Sequence, residues 1–340
     1  MCLLQFVWCV YLEIQVKTPC RLHFGLIDLN GQLGRINGGL GVALEQPGWE
    51  IKGWITEKSD NKISLSLPMI TVINRFDEYF STTSNDIDFE ILKKIPQHVG
   101  LGSNTQFSLA VGIILAKIHK IKTTVVDIAN AVKRGGTSGI GVAAFAEGGI
   151  ILDGGHTFGS GKQTESFKPS SISAAPPPPV IFRHNPPNNW QFVLLTPKIE
   201  QGAFDKEEID LFSDNCPIPA AEVEKLSRLI LIKILPAIVE KDIHAFGEGL
   251  TEMQTNFKQF GMNRYKKGIV HDLLNFTRKN QAIYGSGLSS FGPTIFALTD
   301  TDEKAKKIIK EVKDVFPKNE FNLILSSKIN RIGAKIEKIK

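Results

Sequence analysis

The stretch HVGLGSNTQFSLAVGIIL, residues 98–115, constrains what this chain can fold into more than any other part of it. Gly100 and Gly102 leave backbone amides uncovered, and the small polar residues Ser103, Asn104 and Thr105 lead into Phe107, Ala110, Val111, Ile114, Leu115 and Ile118 at helical spacing. A helix that opens on bare amides gathers unsatisfied N–H donors and partial positive charge at one point, and so forms a cradle for an anion. Ser103 or Asn104 is the expected N-cap, and the amides from Gly100 to Gln106 converge on whatever sits at the helix start. No Gly-Lys-Ser/Thr follows, so this is not the Walker loop.

A second stretch has the same grammar. In RGGTSGIGVAAF, Arg134, Gly135, Gly136, Thr137 and Ser138 precede an apolar helix, placing a guanidinium, hydroxyls and free amides where a phosphate would want them. Two such mouths in one half of the chain suggest a ligand with separated phosphates. A third stretch, PCRLHFGLIDLNGQLGRINGGLGVAL, sets Arg21, His23, Asp28, Arg35 and Asn37 among apolar residues. The strand period of two puts Arg21 and His23 on one face, with Leu22 and Phe24 on the other. A plain hairpin turning at DLNG explains Asp28 well but Arg21 and His23 poorly.

Short runs with β-branched and aromatic residues (LEIQVKT, CRLHFGLIDL, GLGVALEQ, WEIKGWIT, KISLSL) read as strands in the first half. Thr124 and Asp127 form a capping box for the next helix, with Gly135 as its stop, and Gly139 to Phe145 reads as another helix before the strand GIILDGG. Four prolines, Pro176 to Pro179, form a stiff spacer of roughly 12 Å. The expected division is therefore 1–175, a linker at 176–189, and 190–340. Beyond it WQFVLLTP reads as a strand, Ala220 to Phe260 as helices interrupted at Pro236, and SGLSSFGPTIFAL as loop into strand. Asp302 to Phe316 reads as an amphipathic helix and FNLIL as a closing strand, giving an α+β class with no regular βαβ alternation.

Composition narrows the function classes. With 340 residues, 42% of them hydrophobic, the chain can bury a large core, and its net charge of +5 comes from basic residues interleaved with acidic ones. That pattern does not point to nucleic acid. Cys2, Cys9, Cys20 and Cys216 show no CxxC pair, which suits reduced thiols in a cytoplasm and no structural zinc. The apolar opening MCLLQFVWCVYLEI lacks a signal-peptide pattern and is cut short of a membrane span by Glu13, so it reads as an extended strand. His119, His244 and His271 read as solvated helix residues, while His156 and His184 sit in loops beside Asp153 and Arg183.

Together, GLGSNTQ and SGLSSFGPTIFAL resemble motifs of the GHMP kinase superfamily. The resemblance implies an N-terminal ribosomal-protein-S5-like αβ domain followed by a ferredoxin-like αβ domain. Where kinases such as mevalonate kinase carry SG-apolar-Asp, whose carboxylate assists deprotonation of an alcohol, this chain reads TSGIG, with Gly141 in place of the acid. A glycine takes no proton. The longer stretches RLHFGLIDLNGQLGRINGGLGVAL, KRGGTSGIGVAAFAEGGIILDGGH, PPPPVIFRH and SSFGPTIFAL resemble the archaeal-type β-ribofuranosylaminobenzene 5'-phosphate synthases of methanopterin biosynthesis.

That resemblance implies a pentosyltransferase. It would condense phosphoribosyl pyrophosphate with 4-aminobenzoate or 4-hydroxybenzoate, releasing pyrophosphate and CO2. An ATP-dependent GHMP-type kinase is the alternative. Arg21 or Arg35 is expected to pair with the benzoate carboxylate and His23 to handle a proton. Gly100, Gly102, Ser103, Asn104, Thr105 and Gln106 form one phosphate cradle, and Arg134, Thr137 and Ser138 form the other. The matching motifs add Arg183, Ser289 and Ser290 to the substrate-binding set. Mg2+ is expected on the diphosphate, with Asp28 or Asp153 as its carboxylate, and a homodimer is the expected assembly.

Overall fold

The computed structural model describes residues 12–56, 65–170, 172–199, 204–256 and 265–339. Three antiparallel sheets carry the architecture. The first contains β1 (Glu13–Lys17), β4 (Glu50–Ile55), β5 (Ile87–Lys93) and β13 (Lys335–Lys338), in the order β13-β1-β4-β5. The second runs β2 (Cys20–Asp28), β3 (Arg35–Leu44), β6 (Ile150–Asp153), β8 (Val180–His184), with the short β7 (His156–Thr157) on β3. The third, β10-β11-β9-β12, joins Gly285–Leu288, Ile295–Thr299, Gln191–Pro197 and Phe321–Lys328.

Helix α2 (Ser103–Ile118) is the hub of the first half. The sequence shows an apolar face, but the structure buries nearly all of the helix, Leu109, Ile113 and Ala116 included, because it is packed by both β1 and β4 and by α1 (Leu67–Phe80), α3 (Val125–Ala131) and α4 (Ile140–Ala146). The capping box of α3 forms as read: Thr124 accepts from the Asp127 amide and the Asp127 carboxylate accepts from the Thr124 amide. KISLSL corrects one expectation. Leu67 begins α1, with Pro68 in its first turn, and 61–64 lie outside the described residues.

In the third sheet alternation decides the packing. Val193, Leu195, Ile295 and Ala297 face α9 (Ile269–Lys279) and α10 (Asp302–Val315), forming one core cluster with Leu273, Leu274, Ile308 and Val312. Phe192, Leu194, Phe296 and Leu298 face the other way and join the main core, where the Phe24 ring sits 5.0 Å from Phe296 and 6.0 Å from Phe192. Phe24 lies on β2, so the two halves share that core. The last strand, β13, pairs with β1 rather than with the third sheet.

Pro236 acts as expected, with a refinement. It follows a π-helical turn at Ile230–Ile234 between α6 (Ala220–Leu229) and α7 (Leu235–Glu240), where the ladder widens because proline offers no N–H and crowds the preceding turn. The proline run at 176–179 does not stand clear as a spacer. Pro177 lies against Gly135 and Pro178 against Gly139, and the next residues enter the second sheet as β8.

Candidate active site

A cavity of about 370 Å³ opens where β2, the start of α2 and the loops before α4 and after β10 meet. Arg21 and His23 both line it, while their neighbours Leu22 and Phe24 point into the core. Gly100, Gly102, Ser103, Asn104 and Thr105 form one wall. Arg134, Thr137 and Ser138 form another, joined by Ser290.

The cap of α2 differs from expectation. Gly102, with φ 76°, is the N-cap, and no side chain caps the helix. Ser103 instead turns its hydroxyl back to the Ile95 carbonyl at 2.9 Å. The first-turn amides of α2 are therefore left without a side-chain cap. Arg21 runs across this turn: its Cγ lies where a side chain on Gly102 would begin, and its Nη1 donates to the Gly100 carbonyl at 2.5 Å. Burial lowers its guanidinium to about 10, opposed by the Cys20 and Glu208 charges, so it remains a cation at neutral pH.

The second mouth differs from expectation: two of its amides are already used, Gly139 donating to Asp153 Oδ2 at 2.9 Å and Ile140 to Ser138 Oγ at 3.3 Å. Thr137 donates its hydroxyl to the Lys168 carbonyl, and Gly136 is covered by Ser173. What this side offers the cavity is chiefly the Arg134 guanidinium, whose pKa is lowered by burial and then by Arg75. Ser138 links two further groups. His23 Nε2 lies 3.0 Å from Ser138 Oγ, which donates to Asp153 Oδ2 at 3.1 Å. Burial, with Arg21 second, pushes His23 down to about 3 and leaves it neutral. Burial raises Asp153 to about 6 against hydrogen bonds from Gly155, Gly139, Ser138 and Gly39.

Several expected residues lie off the wall. Asp28 Oδ1 accepts from the amides of Asn30 and Gly31, closing its own turn. Arg35 donates to the carbonyls of Gly154 and Gly155, and Arg183 to those of Glu147, Gly148 and Arg331. Gln106 points from α2 to the Gly141 carbonyl at 2.7 Å. Ser289 is buried and ties His23 N to the Gly100 carbonyl, so it clamps the two walls together from behind. Asp28 and Asp153 do not fit a Mg2+ site in this cavity: neither lines it, both Asp153 oxygens accept from N–H and O–H donors, and Asp28 Oδ1 accepts from two amides of its own turn. No cluster of three metal-ligating side chains exists among the described residues.

Among the wall residues that the sequence reading missed are His98, Glu208, Phe212, Phe291 and Leu26. His98 lies just before the glycine turn, with φ 55°. Glu208 and Phe212 come from α5 (Phe204–Asn215), a helix too polar to stand out by periodicity, and their four-residue spacing is the one available signal. Phe291 packs edge-on to Phe212 at 6.2 Å, and with Leu26 they form a continuous apolar side of the cavity. Among the remaining histidines, His119 is packed rather than solvated: it bonds Ser84 Oγ and stacks on Phe76. His156 is fully buried against Asn37 and the Pro176 carbonyl.

Comparison with known proteins agrees with this geometry. The GHMP kinases N terminal domain family matches residues 68–149 and the GHMP kinases C terminal family residues 234–318. Among solved structures, mevalonate kinase of L. major in complex with R-mevalonate superposes with a TM-score of 0.67 at 12% identity, over 93% of this chain and 96% of that one. Homoserine kinase of Cytophaga hutchinsonii gives 0.62 at 17%, over 96% and 97%. These show the fold. A β-ribofuranosylphenol 5'-phosphate synthase of Methanocaldococcus jannaschii is 41% identical over 94% of this chain and 99% of its own. Its namesake in Archaeoglobus fulgidus is 39% identical over 95% and 99%. Aligned with such relatives over nearly its whole length, the chain belongs to the β-ribofuranosylphenol 5'-phosphate synthase family, built on the GHMP kinase fold.

Proposed function

We propose that this chain is a pentosyltransferase that joins phosphoribosyl pyrophosphate to 4-hydroxybenzoate, giving a β-ribofuranosylphenol 5'-phosphate with release of pyrophosphate and CO2. The relatives' name specifies a phenol product, which favours the 4-hydroxy arene over 4-aminobenzoate. The observation that carries the reading is the two-sided cavity wall: uncapped amides and two guanidiniums on one side, Leu26, Phe212 and Phe291 on the other. A flat arene and a doubly phosphorylated ribose need those two surfaces.

The ring carbon bearing the carboxylate attacks the anomeric carbon of the ribose. A carbon–carbon bond forms there as the bond to diphosphate oxygen breaks, and the electron pair leaves with the diphosphate. The bond to the carboxylate then breaks, CO2 departs, and its electron pair restores the aromatic ring. No covalent nucleophile is required. The first-turn amides of α2 and the Arg21 and Arg134 guanidiniums take up the charge gathering on the diphosphate. The apolar side orients the arene and keeps water from the cationic sugar. Glu208, the one carboxylate lining the cavity among the described residues, would be the side chain to hold a Mg2+ bound to the diphosphate, which would offset the charge of the leaving group.

The kinase reading rests on the fold alone. Gly141 stands at the position of the acid, against Thr105, and Asp153 is buried behind Ser138. The free cysteines Cys20 and Cys216 suit a reducing cytoplasm, and no described helix is long and apolar enough to cross a membrane. Pyrophosphate release from phosphoribosyl pyrophosphate, dependent on added 4-hydroxybenzoate, tests the reading. ADP formation from ATP with homoserine or mevalonate, and no pyrophosphate, would replace it with the kinase.

A further inference from the structure

The chain of contacts from Asp153 through Ser138 to His23 fixes where one proton sits. Asp153 is 1% exposed, and its carboxylate accepts from the amides of Gly139 at 2.9 Å and Gly155 at 3.0 Å as well as from Ser138. An ionised carboxylate only accepts, so Ser138 spends its single hydroxyl proton on Asp153. The serine oxygen then has only lone pairs to offer, and it already takes the Ile140 amide at 3.3 Å. His23 Nε2, 3.0 Å away, must supply the hydrogen of their contact. A neutral imidazole with its proton on Nε2 has a bare lone pair on Nδ1, and Nδ1 finds no partner among the described residues.

The packing leaves no slack in this arrangement. A Cβ on Gly39 would lie 3.0 Å from His23 Nε2, 3.1 Å from Ser138 Oγ and 3.2 Å from Asp153 Oδ2, so all three atoms converge on a backbone without a side chain. Neither Asp153 nor Ser138 needs to touch a ligand for this to matter.

We propose that Ser138 and Asp153 are positioning residues that lock His23 in its Nε2-protonated form, so that Nδ1 on the cavity wall accepts a hydrogen bond from a hydroxyl of the bound substrates. Two sources carry that chemistry, the ribose hydroxyls of the donor and the 4-hydroxyl of the arene. The identity of these ligands rests on the transferase reading; the tautomer does not. This reassigns Asp153 from metal ligand and Ser138 from phosphate ligand to the support of an acceptor.

Long-range proton–nitrogen correlation spectra of histidine-labelled full-length protein at neutral pH test it, with His23 identified by its loss in His23→Gln. The expected spectrum shows His23 protonated at Nε2 and bare at Nδ1; protonation at Nδ1, or at both nitrogens, overturns the proposal. The tautomer is read on the unaltered protein, and should His23→Gln fail to fold, single substitutions of the other histidines assign the His23 signal by elimination. Ser138→Ala should shift His23 toward the other tautomer and lower kcat about tenfold, and Ser138→Thr, which keeps the hydroxyl, should restore both. An alanine variant with unchanged tautomer and turnover would overturn the positioning role. Adding phosphoribosyl pyrophosphate alone, or 4-hydroxybenzoate alone, should move the Nδ1 resonance for the ligand whose hydroxyl it meets. A resonance that moves with neither, while both are shown to bind, overturns the acceptor role; failure to bind the donor at all would instead refute the transferase reading and leave the tautomer result intact.

Discussion

Arg21 Nη1 donates to the carbonyl of Gly100 at 2.5 Å, so a strand arginine is laid across the turn whose amides open the central helix. Cation and helix terminus thereby face the same cavity from adjoining elements. Removing the charge while keeping the length should therefore cost transition-state stabilisation. Arg21→Gln is expected to lower turnover at least tenfold, about 1.4 kcal/mol. Arg21→Lys should restore little of it, since a point charge cannot hold the carbonyl and the ligand with one planar fork. Steady-state kinetics check both; unchanged kinetics in Arg21→Gln would remove the residue from the site.

Gly102 supplies the room for that arginine. Its φ is 76°, and a Cβ there would lie 2.8 Å from Arg21 Cγ. Gly102→Ala carries about 1–2 kcal/mol of left-handed strain and displaces Arg21 as well. A melting temperature lower by about 1–3 °C, as about 1–2 kcal/mol gives in a chain of this size, should accompany a fall in kcat/KM of about tenfold. Loss of stability with full activity would show that the turn does not position the arginine.

Phe212 meets Phe291 edge-on at 6.2 Å and is buried, so truncation to alanine would confound binding with a cavity cost of about 3–5 kcal/mol. Phe212→Leu keeps most of the volume. It is expected to raise the KM for the arene about tenfold while the KM for the donor changes by less than about twofold. Equal changes in both constants would take Phe212 out of the arene surface.

Asp153 predicts a pH dependence. Burial holds its folded value at about 6, above the ordinary 3.8 of an aspartate, so the folded chain holds this proton more tightly than the unfolded one. Stability from this group is fully present below the unfolded value and is lost as pH rises through about 6, a change on the order of 3 kcal/mol. In Asp153→Asn that loss disappears. Denaturant unfolding of both proteins between about pH 4 and pH 7 should show the wild type losing more stability than the variant as pH rises. Parallel curves would contradict the buried ionisation.

What the sequence made legible follows from how local each signal is. The glycine turn before α2, the capping box at Thr124 and the shared face of Arg21 and His23 are each set by neighbours within a few residues, and the structure keeps them. Asp28, Arg35 and Arg183 carry the same chemistry on paper, yet Asp28 is spent on the amides of its own turn, and Arg35 and Arg183 on backbone groups brought close only by folding. The second helix mouth differs for that reason: its Gly139 amide turns inward to Asp153, which arrives from β6. Glu208 and Phe212 were invisible because α5 shows no strong apolar period, and it reaches the cavity through tertiary packing with Leu26 and Phe291.

The central claim is that this cavity couples loss of a carboxyl group to displacement of a diphosphate. Labelled CO2 released from carboxyl-labelled 4-hydroxybenzoate, measured with and without phosphoribosyl pyrophosphate, tests it most directly. Release that requires the donor and matches pyrophosphate one for one is the predicted result. Absence of labelled CO2 from a folded protein that binds both substrates would contradict the account.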